Sequence, residues 1–283
     1  MTSTAPPLVR VGSKPGVAEY LRSLWQRREF AIAIPAAELR AAHGDTMLGG
    51  AWHLLNPIFQ IAVYFLIFGV ILGVDRGVDN FIAFLAIGVF VFHFTSRSLS
   101  AGAKSITSNE ALMRAISFPR AILPMAAVFA EFAAFGYALV TMLGVVLLTG
   151  EAVTWTWLLI VPVIVLQLLF NIGAALFMAR FSSHFRDIQQ VLPFLIRLWL
   201  YLSAVLWPVT RLTDVLQQRD LPNLVWLMDF NPGFTYPELV REAVLGGRVG
   251  SPTLWLSASL WAVLVLVGGF MFFRARENEY GHE

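Results

Sequence analysis

The chain has 283 residues, of which 58% are hydrophobic and only 13% charged, with a formal net charge of +2. A soluble domain carries about 25% charged residues, so these figures exclude an ordinary soluble protein and point to an integral membrane protein. The absence of cysteine excludes disulfides and thiolate metal sites.

About fifty residues of mixed polarity precede the first long apolar run. No cleavable signal peptide is expected from that layout, and the first span should serve as its own uncleaved signal. Residues 17–34 read as a helix in which Leu21, Leu24 and Trp25 share a face, with Arg22, Arg27 and Arg28 around the rest. Such a helix suits the membrane interface, although a solvated cytoplasmic helix has the same pattern. Pro35 ends or kinks it.

A membrane-crossing helix needs about 20 largely apolar residues. Six stretches qualify: 54–73, 80–96, 121–149, 155–179, 188–209 and 253–273. The expected fold is therefore all-α and polytopic, with six transmembrane helices. Residues 1–50 form a cytoplasmic N-terminus carrying the interface helix, 51–273 the membrane domain and 274–283 a cytoplasmic tail. Of the 20 basic residues, 18 are Arg, a bias that fits a GC-rich genome. Fourteen lie in the segments on the side of the termini, five on the other side, and Arg197 falls within a span. The positive-inside rule then puts both termini in the cytoplasm of a multi-pass plasma-membrane protein.

Between spans two and three, "KSITSNEALMRAISFPR" (104–120) reads as a cytoplasmic connector with a short helix that presents Leu112, Met113 and Ile116. It is a partner's docking point or an ordinary loop. Between spans five and six, residues 210–252 are too apolar for a solvated loop and too short-patterned to span. Two short helices re-entering the outer interface would accommodate them, because irregular backbone at membrane depth needs protein or water around it.

No G-x-x-x-x-G-K-[ST] phosphate loop occurs, so any ATP must be hydrolysed on another chain. Neither H-E-x-x-H nor G-x-S-x-G is present, and His43, His53, His93, His184 and His282 lack ligand spacing. No metal site and no catalytic residue is expected, and the chain is not expected to be an enzyme.

Several stretches are similar to the permease subunit of ABC-2 type polysaccharide exporters, the Wzm/TagG-like family. "ELRAAHGDTMLGGAWHLLNPIFQIAVYFLIFGVIL" resembles that family's approach to its first span through Leu48, Gly49, Trp52, Asn56 and Pro57. "FRDIQQVLPFLIRLWLYLSAVLWP" resembles its fifth span, opening on Arg186-Asp187 and ending near Pro208. "NPGFTYPELVREAVL" resembles its outer Asn-Pro segment, with Asn231, Pro232 and Arg241. One departure is that Ala42, His43 and Gly44 stand where the family often has a basic, Tyr-containing run.

The resemblance implies a homodimer forming a twelve-helix pore, with two nucleotide-binding ATPase subunits that bind ATP and Mg, no cofactor being held by this chain. It implies docking of those subunits at Leu112, Met113, Arg114, Ile116 and Arg186, an outer gate of short helices, and a substrate of polysaccharide on a polyprenyl diphosphate lipid, such as O-antigen, teichoic acid or galactan. The GC-rich usage points to an actinobacterial member, such as a galactan exporter. The alternatives are an ABC-2 drug or small-lipid exporter and a membrane enzyme acting on prenyl-linked sugars. No nucleic-acid partner is expected.

Arg197 is the anomaly. A charge at the bilayer centre costs at least about 2.5 kcal/mol and calls for a partner or water. Glu131, on the third span, should lie at a similar depth of about 15 Å from the cytoplasmic end. Arg197 then either pairs with Glu131 or lines the pore on a stripe with Gln190, Phe194, Tyr201 and Ala204. Phe59, Tyr64, Trp199, Tyr201 and Trp207 are the candidate rings on the first and fifth spans for stacking against a sliding sugar polymer.

Overall fold

The computed structural model describes residues 16–26, 52–73, 78–115, 118–185, 187–218 and 222–275. They are helical with no strands among them. In chain order the helices are α1 (Val17–Gln26), α2 (Trp52–Tyr64, continued to Ile71 as a π-helical stretch), α3 (Phe81–Ser105), α4 (Glu110–Ala115), α5 (Ile122–Leu148), α6 (Ile160–His184), α7 (Ile188–Leu202), α8 (Thr210–Gln218), α9 (Pro232–Val244) and α10 (Pro252–Ala275).

Four helices are long and apolar enough to cross a membrane: α3, α5, α6 with its preceding 3-10 turn from Trp155, and α10. The apolar stretches Leu55–Ile71 and Ile188–Leu202 are shorter. Four long spans thus stand where six were expected, and the two short ones have local causes. In α2 the α-helical pattern gives way at Phe65 to a π-helical stretch. In α7 the helix stops at Leu202, seven residues before the apolar run ends, and Ser203–Leu206 continue as buried irregular chain through Ala204 at φ +47°.

α3 is the central helix, with 17 of its 25 residues buried. Asn80 starts it: its side-chain oxygen accepts from the Ala83 N–H at 3.1 Å, satisfying one of the free donors of the first turn. The Asn80 amide also donates to Thr149 Oγ1 at 2.9 Å and to Glu151 at 3.0 Å, joining the start of α3 to the end of α5.

In a bilayer, lipid tails are as apolar as leucine, so helices associate through close packing and interhelical hydrogen bonds. Both devices appear on α6. Gln167, fully buried, donates to the Val91 carbonyl at 2.7 Å and to Thr95 Oγ1 at 2.9 Å on α3. Gly173 meets Gly269 of α10 so closely that a Cβ on either would strike the other helix's backbone.

α9 is only 13 residues long, yet ten of them are buried against α3, α6 and α10. Tyr236 OH donates to the Ala258 carbonyl at 3.1 Å, and Thr156 Oγ1 donates to the Ala243 carbonyl at 2.6 Å near the helix end. α8, by contrast, buries no residue. Of the two apolar stretches expected to form short helices, the first holds a 3-10 helix at Pro222–Phe230 and the second is α9.

α1 lies within the expected interface helix. Tyr20 is buried in a second core with Ile106, Met113, Ala121 and Phe273, and Leu24 packs against the same core. The Leu21 and Trp25 side chains and residues 27–51 lie outside the described residues.

Candidate functional site

Two surfaces of the chain hold the residues singled out from the sequence. On α7, Leu192, Ile196 and Leu200 recur every four residues and are buried against α3 and α6. The opposite face carries Gln190, Phe194, Arg197 and Tyr201, all exposed, with Phe194 at 69%. These four members of the stripe inferred from helical spacing share one face, whereas its fifth, Ala204, is fully buried beyond the end of α7. On α2, Phe59 is exposed and Tyr64 is half-buried, with its ring edge-on to Phe68.

Two of the expected placements change. Arg197 does not meet Glu131: among the described residues no ion pair joins them, because Arg197 faces away from the bundle while Glu131 lines a cavity between α2, α3 and α5. Trp199, one of the candidate stacking rings, is not on that open face. Its indole N–H donates to Asn231 Oδ1 at 2.8 Å, and its ring sits edge-on to Phe92 at 5.2 Å. Trp207 donates to the Tyr201 carbonyl at 2.9 Å, which satisfies an acceptor left free where α7 ends.

Among the described residues the buried guanidinium is that of Arg241, on α9, one of the five basic residues assigned to the outer side. It is 4% exposed. Its N–H groups donate to the Val205 carbonyl at 2.7 Å, the Ala204 carbonyl at 3.2 Å and the Phe84 carbonyl at 3.3 Å. Glu238, one turn back, pairs with it at 3.3 Å, and the Phe84 ring lies 3.5 Å beneath the guanidinium carbon. Burial lowers the Arg241 pKa to about 10, against the raising influence of Glu238, so the group stays charged at neutral pH.

This network explains why the fifth apolar run breaks. A helix that stops inside a bundle leaves carbonyls without partners, and a buried unpaired carbonyl is costly. The planar five-donor guanidinium serves several at once. Gly88 on α3 makes the space, since a Cβ there would collide with the Arg241 guanidinium.

The Asn-Pro segment does related work. Asn231 Oδ1 accepts from the Gly233 N–H at 3.0 Å as the cap of α9, and Pro232 occupies the first helical position, where no N–H is needed. The Asn231 amide donates to Ser203 Oγ at 3.0 Å. Asn231, Ser203 and Trp199 thus fasten the start of α9 to the end of α7. In "ELVREAVL" the apolar residues Leu239, Val240, Ala243 and Val244 recur at helical spacing, which signals a helix with an apolar face but not the partners of Arg241.

At the other end of the bundle, the short helix of the connector is α4, approached through a 3-10 turn at Thr107–Asn109. Met113 is buried with Tyr20 of α1, Leu112 packs against the same cluster, and Arg114 is exposed beside Glu110 at 3.7 Å. Ile116 and Arg186 lie outside the described residues.

A family model described as ABC-2 type transporter matches residues 32–245. An O-antigen export system permease protein RfbA of Myxococcus xanthus is 30% identical over 260 residues, covering 92% of this chain and 97% of that one. A protein of the same name from Klebsiella pneumoniae is 21% identical over 85% of this chain and 90% of its own. A polysialic acid transport protein KpsM of Escherichia coli is 24% identical over 85% and 91%. The matched region takes in the broken α7, the Asn-Pro cap and Arg241 alike, and the chain belongs to the ABC-2 type transporter family.

Proposed function

We propose that this chain is the permease subunit of an ABC transporter that exports a polysaccharide carried on a polyprenyl diphosphate lipid, with ATP hydrolysed by a separate subunit. The observation that carries this reading is the nearly end-to-end match to a named O-antigen export permease. O-antigen, teichoic acid and galactan are the polymers it covers. The lack of a phosphate loop anywhere in the sequence supports the division of labour.

In this reading two copies surround the path, and the exposed faces of α2 and α7 line it. Gln190, Phe194, Arg197 and Tyr201 offer the polymer hydrogen bonds, ring faces and one cation, while Phe59, Tyr64 and Trp207 continue the lining. The short α2 and α7 complete six crossings with both termini in the cytoplasm of the plasma membrane. The 3-10 helix Pro222–Phe230 and the buried α9 form the outer gate as re-entrant helices. The ATPase docks on α4, and its stroke passes through Met113 and Tyr20 to α1, which shares their core. Leu112, Arg114, Ile116 and Arg186 complete that docking surface.

The test is export by full-length variants in cells that make the polymer. Replacing Phe194, Arg197 and Tyr201 together with Ala should cut surface polysaccharide at least about tenfold, with the protein still present in the membrane. Removing three exposed side chains costs the fold little. Undiminished export by the triple variant would show that this face is not the path.

A further inference from the structure

Outside the α7 face, a cavity of about 200 Å³ opens between α2, α3 and α5. Trp52, Asn56 and Gln60 line it from one face of α2, His93 and Arg97 from one face of α3, and Glu131 from α5. Gln60 Nε2 and His93 Nε2 stand 3.2 Å apart, so two of these groups are already held in register. Trp52, Gln60, His93 and Glu131 are half-buried and Asn56 and Arg97 exposed, so six hydrogen-bonding or charged side chains gather at one opening on otherwise apolar helices, where polar groups are costly.

The lining discriminates among ligand classes. An anion would meet Arg97 but also Glu131, and a cation the reverse. An acyl chain would strip water from every one of these groups and return no hydrogen bond. No three-ligand metal cluster exists among the described residues. A neutral polyhydroxylated ring, which both donates and accepts, is compatible with the cation, the carboxylate and the amides alike. Asn, Gln, Arg and Glu each carry two coplanar polar atoms that match adjacent hydroxyls, and the indole of Trp52 adds an apolar surface with a polar handle. The volume falls below the range of about 300–1,000 Å³ typical of drug-sized sites, as suits a single sugar ring.

We infer that this cavity is a saccharide-binding site that holds one sugar ring of the exported glycan before it moves onto the α7 face. The inference rests on the export function proposed above and names where the sugar is first recognised. The site is inside one protomer and distinct from the path between two. Glu131 also borders a neighbouring cavity of about 190 Å³ lined by Lys104, Ser108 and Asn109, so one carboxylate connects the sugar site with the cytoplasmic connector.

The experiment uses the full-length chain, purified in detergents without sugar headgroups and placed in nanodiscs of phosphatidylglycerol and phosphatidylethanolamine. Saturation-transfer NMR is recorded with free galactose, glucose, mannose, rhamnose and N-acetylglucosamine, and with glycerol 3-phosphate as a headgroup control. At least one sugar should show transfer to its ring protons. Gln60→Leu and Arg97→Gln should weaken that signal about fivefold or more, the effect of losing a hydrogen bond. Asn56→Ala, at an exposed position, repeats the test if Gln60→Leu fails to fold, and Arg248→Ala should change nothing. No transfer to any sugar, transfer that survives all three cavity variants, or transfer to glycerol 3-phosphate alone would overturn the inference. Export by cells whose purified protein binds no sugar would sink this site and leave the export function standing. Sugar binding by a chain whose deletion leaves surface glycan unchanged would do the opposite.

Discussion

Arg241→Ala should destabilise the protein by about 3–5 kcal/mol, the usual cost of opening a buried charged pair. The substitution removes the donor to the Phe84, Ala204 and Val205 carbonyls in a single step. Two of those carbonyls belong to irregular chain, so no helical N–H is available to replace the lost partner. It also leaves Glu238 without its cation. In purified protein, a midpoint of thermal unfolding lowered by about 10 °C is expected, at the few degrees per kcal/mol typical of chains this size. Arg241→Lys should fall between, because an ammonium has three donors and cannot reproduce the planar fork. Arg248→Ala is the control: that side chain is 71% exposed and its ion pair with Glu242 should contribute little. An Arg241→Ala midpoint equal to the wild type's would mean that the break in α7 is held by something else.

Gly269→Leu should be comparably damaging, at about 3 kcal/mol or more, the upper range for overfilled cores. A Cβ at Gly269 already collides with the backbone of Gly173. A backbone cannot swing aside as a side chain can, so α6 and α10 must separate along the crossing. The neighbouring Gly268 is the internal control, since a Cβ there meets open space. Gly268→Leu should leave the unfolding midpoint within about 2 °C of wild type, since exposed substitutions stay within about 0.5 kcal/mol. Equal tolerance of both leucines would show that the two helices do not cross at these glycines.

The third, fourth and sixth apolar runs were legible because a long helix in a bilayer shows as simple length of apolar sequence. The 121–149 and 253–273 stretches became Ile122–Leu148 and Pro252–Ala275, within three residues at each end. The second run was placed but cut short at residue 96, because Arg97 looked like the end of a span, whereas α3 continues to Ser105. Hydropathy stops at a charge; the helix stops where its hydrogen bonds do.

The fifth run failed for a deeper reason. "YLSAVLWP" is equally apolar as helix or as buried irregular chain. What separates the two is the supply of donors for its carbonyls, and the donor sits on α9, 36 residues beyond Val205. Composition carries no trace of such a pairing. The same non-locality moved Trp199 from the expected path to the Asn231 cap. Among the described residues the buried guanidinium is that of Arg241, whereas Arg197 shares an open face with Phe194 and Tyr201.

The central claim is that this chain is a conduit driven by a motor on another chain. The direct measurement is glycan transport in proteoliposomes containing this chain alone, its ATPase subunit alone, or both, with ATP inside or absent. Transport of lipid-linked polysaccharide only with both chains and ATP is the predicted result. Transport by this chain alone, or ATP hydrolysis by it without a partner, would contradict the account.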